Sequence, residues 1–141
     1  MEAGHCIECG AKEQGGLSCS EQFEYLLVWE HGDPQLYALH FWTVGNYMIQ
    51  HRSGYTTEGY DLLKKLYCEA CDNNWSNSHI LRMNQKLTAN KSFKITNPVP
   101  SLDRERIFRQ WTFTVSDVYV AGEANAIESV LKWRNHIRTE L

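Results

Sequence analysis

A chain of 141 residues with 43% apolar and 22% charged side chains has the length and composition of one globular domain, which excludes a disordered or low-complexity protein. A net charge of -3 excludes the long-range positive field that draws nucleic acid or an acidic membrane, and no window approaches the roughly 18 apolar residues of a membrane span. The start, Met1-Glu2-Ala3-Gly4-His5-Cys6, lacks the basic and apolar runs of a secretory signal, and five cysteines, an odd number, suit reduced thiols and metal ligation better than a disulfide framework, so a cytoplasmic protein is expected.

Residues 1–18 hold Gly4, Gly10, Gly15 and Gly16 with little periodicity, which predicts an irregular arm with no hydrophobic stripe to hold it down. Ser20 is placed to cap a first helix, in which Phe23, Leu26 and Leu27 follow at helical spacing until Gly32-Asp33-Pro34. Pro34 suits the first turn of a second helix, predicted from about Pro34 to His51. Its apolar residues, Leu36, Phe41, Trp42, Val44, Met48 and Ile49 among them, cover every face, the pattern of a central helix. His40, Tyr47 and His51 recur on one stripe of that helix and predict a buried polar seam.

After Arg52-Ser53-Gly54, Thr57 is placed to cap a third helix with Tyr60, Leu63, Leu66, Tyr67 and Ala70 facing inward, ended by Asp72-Asn73-Asn74. A fourth helix is predicted from about Ser78 to Ala89. Residues 91–115, with Pro98, Pro100 and the run Trp111-Thr112-Phe113-Thr114-Val115, predict a loop or short extended pieces, and Ser116-Asp117 a helical turn. Ile127, Val130, Leu131 and Ile137 then stripe a last helix from about Glu123 to Thr139. Lys64-Lys65 and Arg104, Arg106 and Arg109 read as solvated surface. The fold class expected is all-α, an up-and-down bundle of about five helices in a single domain, residues 1–141, with residues 1–18 as a cysteine-bearing arm.

The chemistry sits in the arm. Two cysteines three apart, Cys6-Ile7-Glu8-Cys9, grip one tetrahedral zinc ion because the tight turn between them points both sulfurs inward, and Gly10 suits that turn. Cys19 follows at the mouth of the first helix. If the first two helices form an antiparallel hairpin about Asp33, helical rise puts His51 about 6 Å along the axis from Cys19 and His40 about 10 Å. The expected zinc ligands are therefore Cys6, Cys9, Cys19 and His51, with His40 as the alternative fourth. The second pair, Cys68-x-x-Cys71, falls roughly 20 Å away by the same arithmetic and reads as packing. Glu30 shares a helix face with Cys19 and is read as facing water, the other role being to hold a histidine ring.

These same residues carry a resemblance. Cys6-x-x-Cys9-Gly10, Ser18-Cys19-x-x-x-Phe23-x-x-Leu26-Leu27-x-x-Glu30 and His40-x-x-Thr43-Val44-x-x-Tyr47-x-x-Gln50-His51 resemble an uncharacterised bacterial family catalogued as domain of unknown function 5946. Ser78-His79-Ile80-Leu81-Arg82-Met83, Thr114-Val115-Ser116-Asp117-Val118 and Trp133 look like its later segments. The resemblance implies that His40, His51 and His79 belong to the family pattern with the three cysteines, and it supplies no activity. Arg52 stands where the family commonly has proline, and Cys68 and Cys71 match nothing in it.

Three functions compete. Sulfur-rich ligation favours a closed structural zinc that supports a binding or regulatory surface, with another protein as the partner class. The alternatives are a zinc enzyme with His40, Tyr47 or Glu30 near an open coordination position, and a thiol-based redox switch. No catalytic residue is assigned.

Overall fold

Ser18, two residues earlier than expected, opens the first helix, because it can form a capping box that Ser20 cannot. Its Oγ accepts the Glu21 N–H at 3.3 Å while its own N–H donates to Glu21 Oε1 at 3.1 Å. Cys19 thereby becomes the first helical residue. Ser18→Ala is expected to lower stability by about 1 kcal/mol. A urea midpoint unchanged from wild type would mean that the arm, and not the cap, fixes this helix start.

The computed structural model describes residues 5–89 and 111–141. Among them the chain forms seven α-helices and no β-strand: α1 (Cys19–His31), α2 (Pro34–Tyr37), α3 (His40–Ile49), α4 (Thr57–Asp72), α5 (Asn77–Ala89), α6 (Val115–Ala121) and α7 (Ala126–Glu140). The expected count of about five is corrected in two places. The long second helix is broken, because the Leu39 N–H folds back to the Leu36 carbonyl at 2.9 Å and Asn77 Nδ2 takes the Ala38 carbonyl at 2.7 Å. The turn expected at Ser116-Asp117 is a full helix, started at Thr114, whose N–H donates to Asp117 Oδ2 at 2.8 Å. Of the segment predicted over 91–115 as a loop or short extended pieces, residues 111–114 are irregular, Val115 opens α6, and residues 91–110 lie outside the described residues.

Helix ends follow local chemistry elsewhere. Asp33 Oδ1 accepts the Gln35 and Leu36 N–H groups at the start of α2, and Thr56 Oγ1 accepts the Gly59 N–H at the start of α4. Helix α4 ends with Asn74 in the left-handed region at φ 50°, which lets Trp75 N–H reach the Ala70 carbonyl and Asn74 N–H reach that of Cys71.

The core is built around α3, which packs on α1, α4 and α7, as its all-round apolar surface predicts. Helix α6 lies against α1 and α7, and α5 against α4. Trp133, Tyr67, Leu26, Leu36, Ile49 and Ile137 are the largest apolar side chains sealed inside. Polar residues in α3 and at its C-cap, Gln50, fix it to its neighbours. Asn46 donates to the Val130 carbonyl at 3.2 Å and accepts from the Tyr67 hydroxyl, while Gln50 donates to the Phe113 carbonyl at 2.7 Å and accepts from Trp133 Nε1 at 3.1 Å. These bonds make the burial of two amides tolerable. No helix among the described residues is long and apolar enough to cross a membrane.

Candidate metal centre

The Cys6–Cys9 turn is closed by the Gly10 N–H on the Cys6 carbonyl at 3.0 Å and the Cys6 N–H on the Ala11 carbonyl at 2.9 Å. Gly10 sits at φ 79°, where a side chain would strain the backbone. Two N–H groups point at sulfur, Glu8 to Cys6 Sγ and Ala11 to Cys9 Sγ, each at 3.4 Å. A second turn follows at Gly15-Gly16, whose φ values of 54° and 83° suit a two-residue hairpin, with Gln14 and Leu17 exchanging hydrogen bonds across it.

The arm lacks a hydrophobic stripe, as expected, yet it is held by more than its cysteines. Cys9 and Ala11 are sealed in the core. Gln22 Nε2 on α1 and Ser116 Oγ on α6 both donate to the Lys12 carbonyl, at 2.9 and 2.7 Å, and the buried Glu8 carboxylate accepts the Ser53 N–H at 3.0 Å. Sequence reasoning missed both side chains, because Glu8 meets Ser53 only across the folded structure and Gln22 reaches back to Lys12 only once the arm has turned onto α1.

Cys6, Cys9, Cys19 and His51 come together: one ligand atom from each, and all four within 4.8 Å of one another. The pairing of α1 with α3 that this requires is antiparallel, since Cys19 meets His51 at one end and Glu30 meets His40 at the other. His51 Nε2 lies 3.6 Å from Cys6 Sγ and 3.5 Å from Cys19 Sγ. Its other ring nitrogen, Nδ1, is 2.6 Å from the Tyr47 carbonyl and donates to it, so Nε2 is the atom left for the sulfurs. The ring plane is fixed by a stack that the sequence did not reveal as such: Phe23 on Tyr47 with centroids 4.0 Å apart, and Tyr47 on His51 at 3.9 Å. Tyr47 Oη approaches Cys19 Sγ at 3.8 Å.

Packing three thiols and an imidazole this closely shifts their protonation. Hydrogen bonds from Cys19 and Cys9 hold the Cys6 thiol well below its ordinary value, while the same contacts with Cys19 and Cys6 push Cys9 up, because three adjacent sulfurs resist carrying full charge together. Burial works to lower the His51 imidazole, but its contacts with the Cys19 and Cys6 sulfurs and the Tyr47 carbonyl outweigh it and raise it to about 10. Burial, then the charge on Cys19, push the Tyr47 phenol up. A proton shared among these atoms and a cation at their centre are alternatives, so ion binding releases protons.

The other residues singled out in the sequence lie elsewhere. His40 is half exposed, and its Nδ1 meets Glu30 Oε2 at 2.7 Å, away from the sulfurs. Glu30, expected to face water, is only 4% exposed and holds that ring. Of the three groups proposed to flank an open coordination position, only Tyr47 is at the cluster. His79 stacks on Trp75 with centroids 4.3 Å apart. Cys68 and Cys71 sit one turn apart on α4, partly buried and outside the cluster, Cys71 packed against the core.

The fold and site together define a mostly helical protein whose arm is folded onto the helices beside a three-cysteine, one-histidine cluster able to hold a metal ion. The chain belongs to the family described as Family of unknown function (DUF5946), which it matches over residues 4–141. No curated protein and no solved structure matches it.

Proposed function

We propose that Cys6, Cys9, Cys19 and His51 bind one Zn²⁺ in a closed structural site that joins the arm to α1 and α3 of a single helical domain. The observation that carries this reading is the spacing of the ligand atoms. A tetrahedral zinc with sulfur at about 2.3 Å and nitrogen at about 2.0–2.1 Å needs sulfur-to-nitrogen edges of about 3.6 Å. The two edges to His51 Nε2 are 3.6 and 3.5 Å. Three thiolates and one imidazole are the donor set zinc prefers over hard cations such as Mg²⁺ and Ca²⁺. The N–H groups donated to Cys6 Sγ and Cys9 Sγ, and the hydrogen bond that His51 Nδ1 donates to the Tyr47 carbonyl, supply the outer support such ligands need.

Zinc supplies cross-linking here. Four protein ligands leave no coordination position for substrate, and the role that follows is a stabilised helical surface for binding or regulation. The test is elemental analysis of protein purified without chelators. About one zinc per chain is expected, as one set of four ligands fills one site, and Cys68→Ala should leave that content unchanged. Metal-free wild-type protein would overturn the reading, and loss of zinc in Cys68→Ala would move a ligand to α4.

A further inference from the structure

We propose that Cys19 and Cys6 form an oxidisable edge of the metal centre, at which a small hydroperoxide is reduced and the two sulfurs close into a disulfide. The inference deepens the zinc reading and rests on the same four residues. It starts from an asymmetry among the sulfurs. Cys9 is fully buried, whereas Cys6 and Cys19 are partly exposed and line one cavity of about 320 Å³ with Glu13, Ser18, Ser20 and Tyr47. A reagent in that cavity meets two sulfurs and never the third. Glu13, Ser18 and Ser20 give the cavity polar groups beside the apolar Ile7 and Ala11, and its size admits a small molecule such as a hydroperoxide.

Hydrogen bonding separates the two exposed sulfurs. His51 meets both, but Cys6 Sγ also takes the Glu8 N–H at 3.4 Å, which draws charge from it, whereas Cys19 Sγ has only the longer contact with the Tyr47 hydroxyl at 3.8 Å besides the neighbouring sulfurs. With every ligand sulfur held as thiolate by the ion, Cys19 keeps the most electron density of the accessible pair, and exposure with that nucleophilicity decides which sulfur a peroxide oxidises first.

The chemistry balances with a hydroperoxide as the oxidant. A lone pair of the Cys19 thiolate attacks one peroxide oxygen, forming S–O and breaking O–O, and the departing oxygen takes a proton from water in the cavity. The Cys6 thiolate, whose sulfur lies within 4.8 Å, then attacks the Cys19 sulfur. S–S forms, S–O breaks, and hydroxide leaves to be protonated by water. With hydrogen peroxide, two thiolates lose two electrons in total and one peroxide plus two protons becomes two waters. The ligand set falls from four to two, Cys9 and His51, which cannot retain zinc tightly.

The experiment uses the full chain carrying Cys68→Ser and Cys71→Ser, which removes the two thiols on α4. Zinc is quantified first; hydrogen peroxide is then added, release is followed with a colorimetric chelator, and disulfides are mapped by peptide mass spectrometry. A parallel sample contains dimedone to trap sulfenic acid. The expected result is release of one zinc per chain, a Cys6–Cys19 disulfide, and a dimedone adduct on Cys19 in preference to Cys6. A disulfide or adduct centred on Cys9, or intact thiols at peroxide levels that oxidise free cysteine, would overturn the proposal. Protein that starts without zinc yet forms the Cys6–Cys19 disulfide would sink the metal reading alone. Should the double variant fail to fold, the same peptide map of the wild-type chain distinguishes all five cysteines.

Discussion

Cys9→Ser is expected to abolish tight zinc binding and release residues 5–11 from the helices, while far-UV circular dichroism stays close to wild type. Cys9 is the most buried of the three sulfurs, and a serine hydroxyl there is a poor zinc ligand. Structural zinc contributes apparent binding energies of about 10–16 kcal/mol in small zinc peptides, so with zinc bound as proposed, losing one of four ligands would remove a large contribution to arm order. The helices have independent support, since α3 buries its faces on α1, α4 and α7. Trypsin reads the difference. Cleavage after Lys12 is blocked while Gln22 and Ser116 hold its carbonyl, and becomes rapid once the segment before it is free. A cooperative loss of all helical signal in Cys9→Ser would show instead that the ion nucleates the whole fold.

Trp133→Ala is expected to cost about 3–5 kcal/mol, a large share of the 5–15 kcal/mol typical of a domain. The indole is fully buried on α7 and its Nε1 is the donor to Gln50 Oε1. Truncation therefore opens a cavity and also strands an acceptor inside the core, two penalties that add in the same direction. Gln50 precedes His51, so its loosened side chain should also weaken zinc retention in competition with a chelator. Urea unfolding that shifts by less than about 1 kcal/mol would mean the surrounding helices collapse into the space.

His51 could be ranked above His40 from the sequence because one measurement suffices: the length of two helices joined by a turn of known position. That arithmetic needs only the Gly32-Asp33-Pro34 break, and it tolerated the unforeseen interruption at Ala38 and Leu39, which left Cys19 facing Tyr47 and His51. The capping box at Ser18 and Glu21 was equally legible, since both partners lie within one turn, and Ser20 was the poorer choice on local grounds. Glu30 was not legible. Its burial depends on how α1 seats against α3, and a carboxylate facing water has the same sequence as one holding His40.

By itself the sequence determined what nearest neighbours determine: helical segments from the spacing of apolar residues, the sulfur turn at Cys6-x-x-Cys9-Gly10, and the residues available to a metal. Tertiary structure alone decided what depends on partners far along the chain. It split the second helix where Asn77 reaches Ala38, turned a β-favouring run into the approach to α6, and clasped the arm at Lys12 with side chains from α1 and α6. The physical reason is range: dihedral preference and periodicity act over a few residues, whereas which donor meets which carbonyl is fixed only when the helices have stacked.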